Sequence, residues 1–82
     1  MSHERTLAAI FAEPTRANLR WAEIESRLLH LGATISAGSS SRVRVALNGV
    51  RAVFQRPHPP PLATKPAVRS VRRFLSEAGV QA

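Results

Sequence analysis

The stretch RVRVALNGVRAVFQR, residues 42–56, decides how this chain folds. Two runs of alternating apolar and polar residues flank Asn48-Gly49. Both central positions of a two-residue hairpin turn need positive φ, and Asn-Gly supplies it at least cost. The turn therefore predicts a hairpin with strands Arg42–Leu47 and Val50–Arg56, and it fixes the register. Leu47 faces Val50, Val45 faces Ala52 and Val43 faces Phe54 on an apolar side. Ala46 faces Arg51, Arg44 faces Val53 and Arg42 faces Gln55 on the other. A two-faced hairpin of this kind belongs in a sheet covered by helices on one side only.

Outward from the hairpin, Ala33 to Ala37 reads as a strand centred on Ile35, and AGSSS as the loop that follows it. Upstream, Trp21, Ile24, Leu28 and Leu31 recur at helical spacing, with Leu29 beside them. This helix begins near Asn18 to Trp21, carries Glu23 and Glu25 in its first turn where the helix dipole favours anions, and stops at Gly32. A shorter helix over Ser2 to Ala12 brings Leu7, Ile10 and Phe11 to one face, with Pro14 as its stop. Downstream, the prolines of RPHPPPLATKP exclude regular structure and favour an ordered crossing loop. Pro66 then suits the first turn of a last helix capped by Thr64 or Lys65. Val68, Val71, Leu75 and Ala78 form its apolar stripe, Phe74 lies at the edge of that stripe, and Gly79 ends it. The order helix, helix, three strands, helix is a small α+β fold.

The chain has 82 residues, 44% of them apolar, which allows one small domain. Cysteine is absent. That agrees with a reducing cytosol, and no disulfide can brace the fold. No apolar run is long enough to span a membrane, and Glu4 and Glu13 flank the short apolar run near the N-terminus, unlike a signal peptide. The sequence is read as that of a soluble cytoplasmic protein with no membrane partner.

The net charge is +7 with a pI near 11.9. The five acids are Glu4, Glu13, Glu23, Glu25 and Glu77. None lies between Ser26 and Ser76, where Arg27, Arg42, Arg44, Arg51, Arg56, Lys65, Arg69, Arg72 and Arg73 are found. Every cation except Lys65 is arginine, whose planar fork matches phosphate oxygens in pairs and stacks on bases. An acid-free basic segment points to a polyanion, and nucleic acid fits better than a membrane surface because no basic amphipathic helix carries aromatic anchors.

From about Trp21 to Val80, roughly three quarters of its length, the chain resembles the HicA family of toxins from bacterial toxin–antitoxin pairs. The carriers are WAEIESRLLHLGA, the GSSS loop, the hairpin with its Gly49 turn, RPHP, and KPAVRSVRRFLSEAGV. They occur in the family's order: a helix ending in Leu-x-x-x-Gly, a Gly-Ser-His loop, a hairpin, Pro-His-Pro, and a final helix with spaced lysine, arginine and glycine. Lys65, then Arg69 or Ser70, then Ala78-Gly79 stand in that last pattern. The resemblance implies a fold like the double-stranded-RNA-binding domain, a three-stranded antiparallel sheet with helices on one face. Residues 18–80 would form this core and residues 1–14 a helical extension within a single domain. It also implies a type II toxin, an mRNA-cleaving endoribonuclease that blocks translation, held inactive by a HicB-type antitoxin. The family's catalytic histidine follows Gly-Ser. Here the loop reads Gly38-Ser39-Ser40-Ser41-Arg42, so Ser40 or Arg42 takes that place, depending on which end of the serine run is aligned.

Metal-free RNA cleavage needs a group that takes the 2′-hydroxyl proton and cations that hold the phosphate. Histidine suits the first task, with an imidazole pKa of about 6.5. His58 is the histidine nearest the basic hairpin, and its other reading is a packing role in the proline-rich loop. Arg42 suits the second task and is too basic for the first. Ser39, Ser40 and Ser41 offer hydroxyls to phosphate oxygens, or form a plain turn. The catalytic candidates are therefore His58, Arg42 and Ser40. Ser39, Ser41, Arg44, Arg51, Arg56, Lys65, Arg69, Arg72 and Arg73 are candidate RNA contacts. The basic stripe Lys65, Arg69, Arg72, Arg73 suits RNA phosphates or an acidic antitoxin equally. No carboxylate cluster exists to hold a metal, and no cofactor is expected. Two other readings stay open: a non-catalytic RNA-binding module, and a domain that binds an acidic protein partner.

Overall fold

A computed structural model of the chain describes residues 3–38, 41–58 and 61–81. The elements run α1 (His3–Phe11), α2 (Trp21–His30), β1 (Thr34–Ala37), β2 (Arg42–Leu47), β3 (Val50–Gln55) and α3 (Lys65–Glu77). The fold is α+β, with one antiparallel sheet in the order β1-β2-β3.

The hairpin forms as its turn dictates. Asn48 and Gly49 adopt φ of 52° and 82°, and the six cross-strand pairs from Leu47↔Val50 to Arg42↔Gln55 match the expected register. β1 adds to the other side of β2, pairing Ile35 with Val45 and Ser36 with Arg44. Residues directly opposite share a face. The inner face is therefore Ile35, Val43, Val45, Leu47, Val50, Ala52 and Phe54, and the helices cover it.

Trp21, Ile24 and Leu28 bury one side of α2 against that face, and Val68, Val71, Phe74 and Leu75 bury one side of α3. Phe54 sits between the two helices. Its ring meets Trp21 edge-on at 6.1 Å and Phe74 edge-on at 5.7 Å, the geometry in which the ring quadrupoles attract. Phe74 is 2% exposed, so it is a core residue rather than the edge residue expected from the helical stripe. The sequence pattern of α3 does not reveal that Phe54 reaches across to it. Thr64 caps α3, accepting from the Ala67 N–H at 3.2 Å, with Pro66 in the first turn.

The N-terminal helix belongs to the same core. Leu7, Ala9 and Ile10 are buried in one cluster with the residues of α2, α3 and the sheet. The proline-rich crossing loop is fastened at its far end. Trp21 N–H donates to the Pro61 carbonyl at 2.9 Å and Ala63 N–H to the Leu19 carbonyl at 2.8 Å, so residues 61–63 pair with the approach to α2. α2 begins at Trp21, which moves Glu25 out of the first turn into the second. No helix among the described residues is long and apolar enough to cross a membrane.

Candidate nucleic-acid interface

The outer face of the sheet gathers most of the hairpin's charge. Alternation along β2 and β3 turns Arg42, Arg44 and Arg51 to solvent, beside Thr34 and Ser36 of β1 and Val53 and Gln55 of β3. A shallow depression of about 560 Å³ lies here, lined by Thr34, Ser36, Arg44, Arg51 and Val53 among others. The face carries no carboxylate. Three guanidinium groups therefore meet solvent with nothing on their own surface to neutralise them, beside two hydroxyls able to bond a phosphate or a ribose.

The open end of the hairpin joins other candidates. Arg56 N–H donates to the Ser41 carbonyl at 2.8 Å, and Gln55 Nε2 to Ser41 Oγ at 3.3 Å. Together with the Arg42↔Gln55 pair, these contacts bring Ser41, Arg42, Gln55 and Arg56 to one end of the sheet. His58 is exposed and lines a groove of about 440 Å³ between β3 and α3, with Gln55, Arg56, Thr64 and Ser70. Ser39 and Ser40 lie outside the described residues.

Arg56 is held differently from the other hairpin arginines. Its Nε and Nη2 donate to the two carboxylate oxygens of Glu25 at 2.8 and 3.1 Å. Trp21 Nε1 also donates to Glu25. The Arg56 hydrogen bond holds the Glu25 carboxyl below the usual carboxylate range; partial burial opposes this, and the Trp21 hydrogen bond and the Arg56 charge add to it. The same carboxylate raises Arg56. A phosphate at Arg56 must therefore compete with Glu25. The sequence does not reveal this carboxylate, because no acid lies near Arg56 along the chain and Glu25 arrives from 31 residues away. One signal was present: Glu25 lies four residues after Trp21, on the same face of α2.

On α3, Lys65, Arg69 and Arg73 are exposed and share the solvent side of the helix. Arg72 does not stand with them. Its Nε donates to the Ile10 carbonyl at 3.0 Å, and its Nη2 to the Ala12 carbonyl at 2.9 Å and to Thr15 Oγ1 at 3.2 Å. It also pairs with Glu13. It thus satisfies carbonyls at the C-terminal end of α1, which the helix itself leaves without partners. Because α3 packs on the inner face of the sheet, Lys65, Arg69 and Arg73 point away from Arg42, Arg44 and Arg51. The two basic surfaces lie on opposite sides of the molecule. Among the described residues, no three His, Cys, Asp or Glu side chains come together as a metal site would require.

No protein-family model, curated protein or solved structure matches the chain.

Proposed function

We propose that this chain is a HicA-like toxin component that binds RNA and cleaves mRNA without a metal, on a double-stranded-RNA-binding-domain-like fold. Two things support the fold part of the reading: the order α2-β1-β2-β3-α3, and the packing of both core helices on one face of the sheet. The observation that carries the RNA part is the solvent face of Arg42, Arg44 and Arg51 without an opposing carboxylate. In the cleavage reading, His58 takes the 2′-hydroxyl proton as the 2′-oxygen attacks phosphorus. The bond from phosphorus to the 5′-oxygen breaks, that oxygen takes a proton from solvent to become a 5′-hydroxyl, and a 2′,3′-cyclic phosphate remains. Arg42 holds the phosphate oxygens as their charge grows, and Ser40 and Ser41 offer hydroxyls to the same group. The stripe Lys65, Arg69 and Arg73 is the surface for an acidic HicB-type antitoxin. Such a pair would act in the cytoplasm.

A second reading has its own support. The loop Gly38-Ser39-Ser40-Ser41-Arg42 carries no histidine where the family has one, and a non-catalytic RNA binder would keep the basic face without the cleavage. Titrating a labelled single-stranded RNA at several salt concentrations tests the binding. Three phosphate contacts give a log K against log salt slope of about −2, and Arg44→Ala lowers its magnitude by about 0.7. A flat profile contradicts RNA binding. Cleavage that survives both His58→Ala and Arg42→Ala contradicts the assigned groups.

A further inference from the structure

β3 is an edge strand, and among the described residues no strand pairs with its outer edge. The two-residue turn makes Leu47 and Val50 a mutually hydrogen-bonded pair, and such pairs recur at every second residue. The bond from Arg56 N–H to the Ser41 carbonyl at 2.8 Å continues the same series. Val50, Ala52 and Phe54 therefore spend their N–H and C=O groups on β2. Those of Arg51, Val53 and Gln55 point the other way. Among the described residues, no backbone group meets them. Val53, at the middle of this edge, is 60% exposed. Natural sheets shield such edges, because an open one templates pairing with another chain.

The edge also has a roof. The N-terminal half of α3 overhangs it, leaving the groove of about 440 Å³ floored by Phe54 and walled by Pro66, Ala67 and Ser70. We infer that this groove takes an extended segment of an acidic protein partner as a fourth strand beside β3. The register sets what that segment carries. Positions opposite Arg51, Val53 and Gln55 share the outer face, where Arg51 and its neighbours Arg44 and Arg42 call for carboxylates. Positions in between point into the groove, where Phe54, Pro66 and Ala67 call for small apolar side chains. The segment therefore alternates acidic and small apolar residues. Charge decides against a second copy of this chain as the occupant, because pairing would bring two arginine faces of a +7 protein side by side. The inference does not rest on the RNA-cleaving reading, since an RNA strand has no amide ladder to offer this edge.

The test uses a seven-residue peptide of alternating valine and aspartate, blocked at both ends. Its control has the same residues arranged in blocks. Amide hydrogen exchange and NMR shifts are followed on the whole protein. The alternating peptide is expected to slow exchange at Arg51, Val53 and Gln55 at least tenfold, leave Ala52 and Phe54 nearly unchanged, and bind at least tenfold tighter than the control. Val53→Pro removes an edge donor and no bond of the existing ladder, as proline on an edge strand allows. It is expected to weaken binding at least tenfold. If that variant fails to fold, Arg51→Glu serves instead, with preference expected to switch to a valine–lysine peptide. Four results overturn the inference: no binding at millimolar peptide, equal binding of the control, shifts confined to Lys65, Arg69 and Arg73, or edge protection already present in free protein through self-association.

Discussion

Replacing Arg72 with methionine keeps the aliphatic stem against α1 and removes the guanidinium. Three donated bonds go with it, to the carbonyls of Ile10 and Ala12 and the hydroxyl of Thr15. The ion pair with Glu13 is also lost. That pair is the lesser part, since the Glu13 side chain is 72% exposed and exposed pairs contribute under about 1 kcal/mol. Bonds from a charged donor contribute about 1.5–3 kcal/mol each. Water reaches the freed carbonyls at a helix end and recovers roughly half of this, which leaves an expected loss of about 2–4 kcal/mol. A domain of 82 residues has about 4–12 kcal/mol in total. At about 4–8 °C per kcal/mol, the midpoint falls by about 8–30 °C. Urea unfolding and thermal melts measure both quantities. Glu13→Gln serves as the companion variant and is expected to cost under about 1 kcal/mol. A loss below about 0.5 kcal/mol for Arg72→Met, or equal losses for the two variants, would refute the view that backbone capping dominates.

Two other perturbations follow from the same contacts. Asn48 holds a positive φ and donates Nδ2 to the Ala78 carbonyl at 2.8 Å, so Asn48→Ala is expected to cost about 1.5–3 kcal/mol in chemical denaturation. Glu25 has its pKa depressed in the folded protein. Its stabilising contribution is complete above the unfolded carboxylate value and fades as pH falls through the folded one. The stability gap between wild type and Glu25→Gln should therefore shrink in acid below the ordinary carboxylate range and stay constant from there to neutrality, as pH-dependent urea midpoints will show.

The hairpin was legible because its information is local. Asn48-Gly49 sets the turn, the turn sets the register, and the register turns Arg42, Arg44 and Arg51 to one face. The caps of α3 were legible for the same reason, as Thr64 and Pro66 act within one turn. What the sequence hid depends on long-range contact. Phe74 looked marginal on its own helix and becomes core because Phe54 reaches it. Arg72 looked like one of four cations on a stripe and turns instead to the end of α1. Arg56 looked free, and the carboxylate that holds it comes from α2. In each case the partner that decided the side chain's role lay in another element.

Induced expression of the chain alone in bacteria, with growth and total mRNA followed together, tests the proposed activity most directly. Growth arrest with rapid loss of full-length mRNA, both relieved by His58→Ala, is the expected result. Unchanged growth and intact mRNA, with soluble folded protein accumulating in the cells, would contradict it.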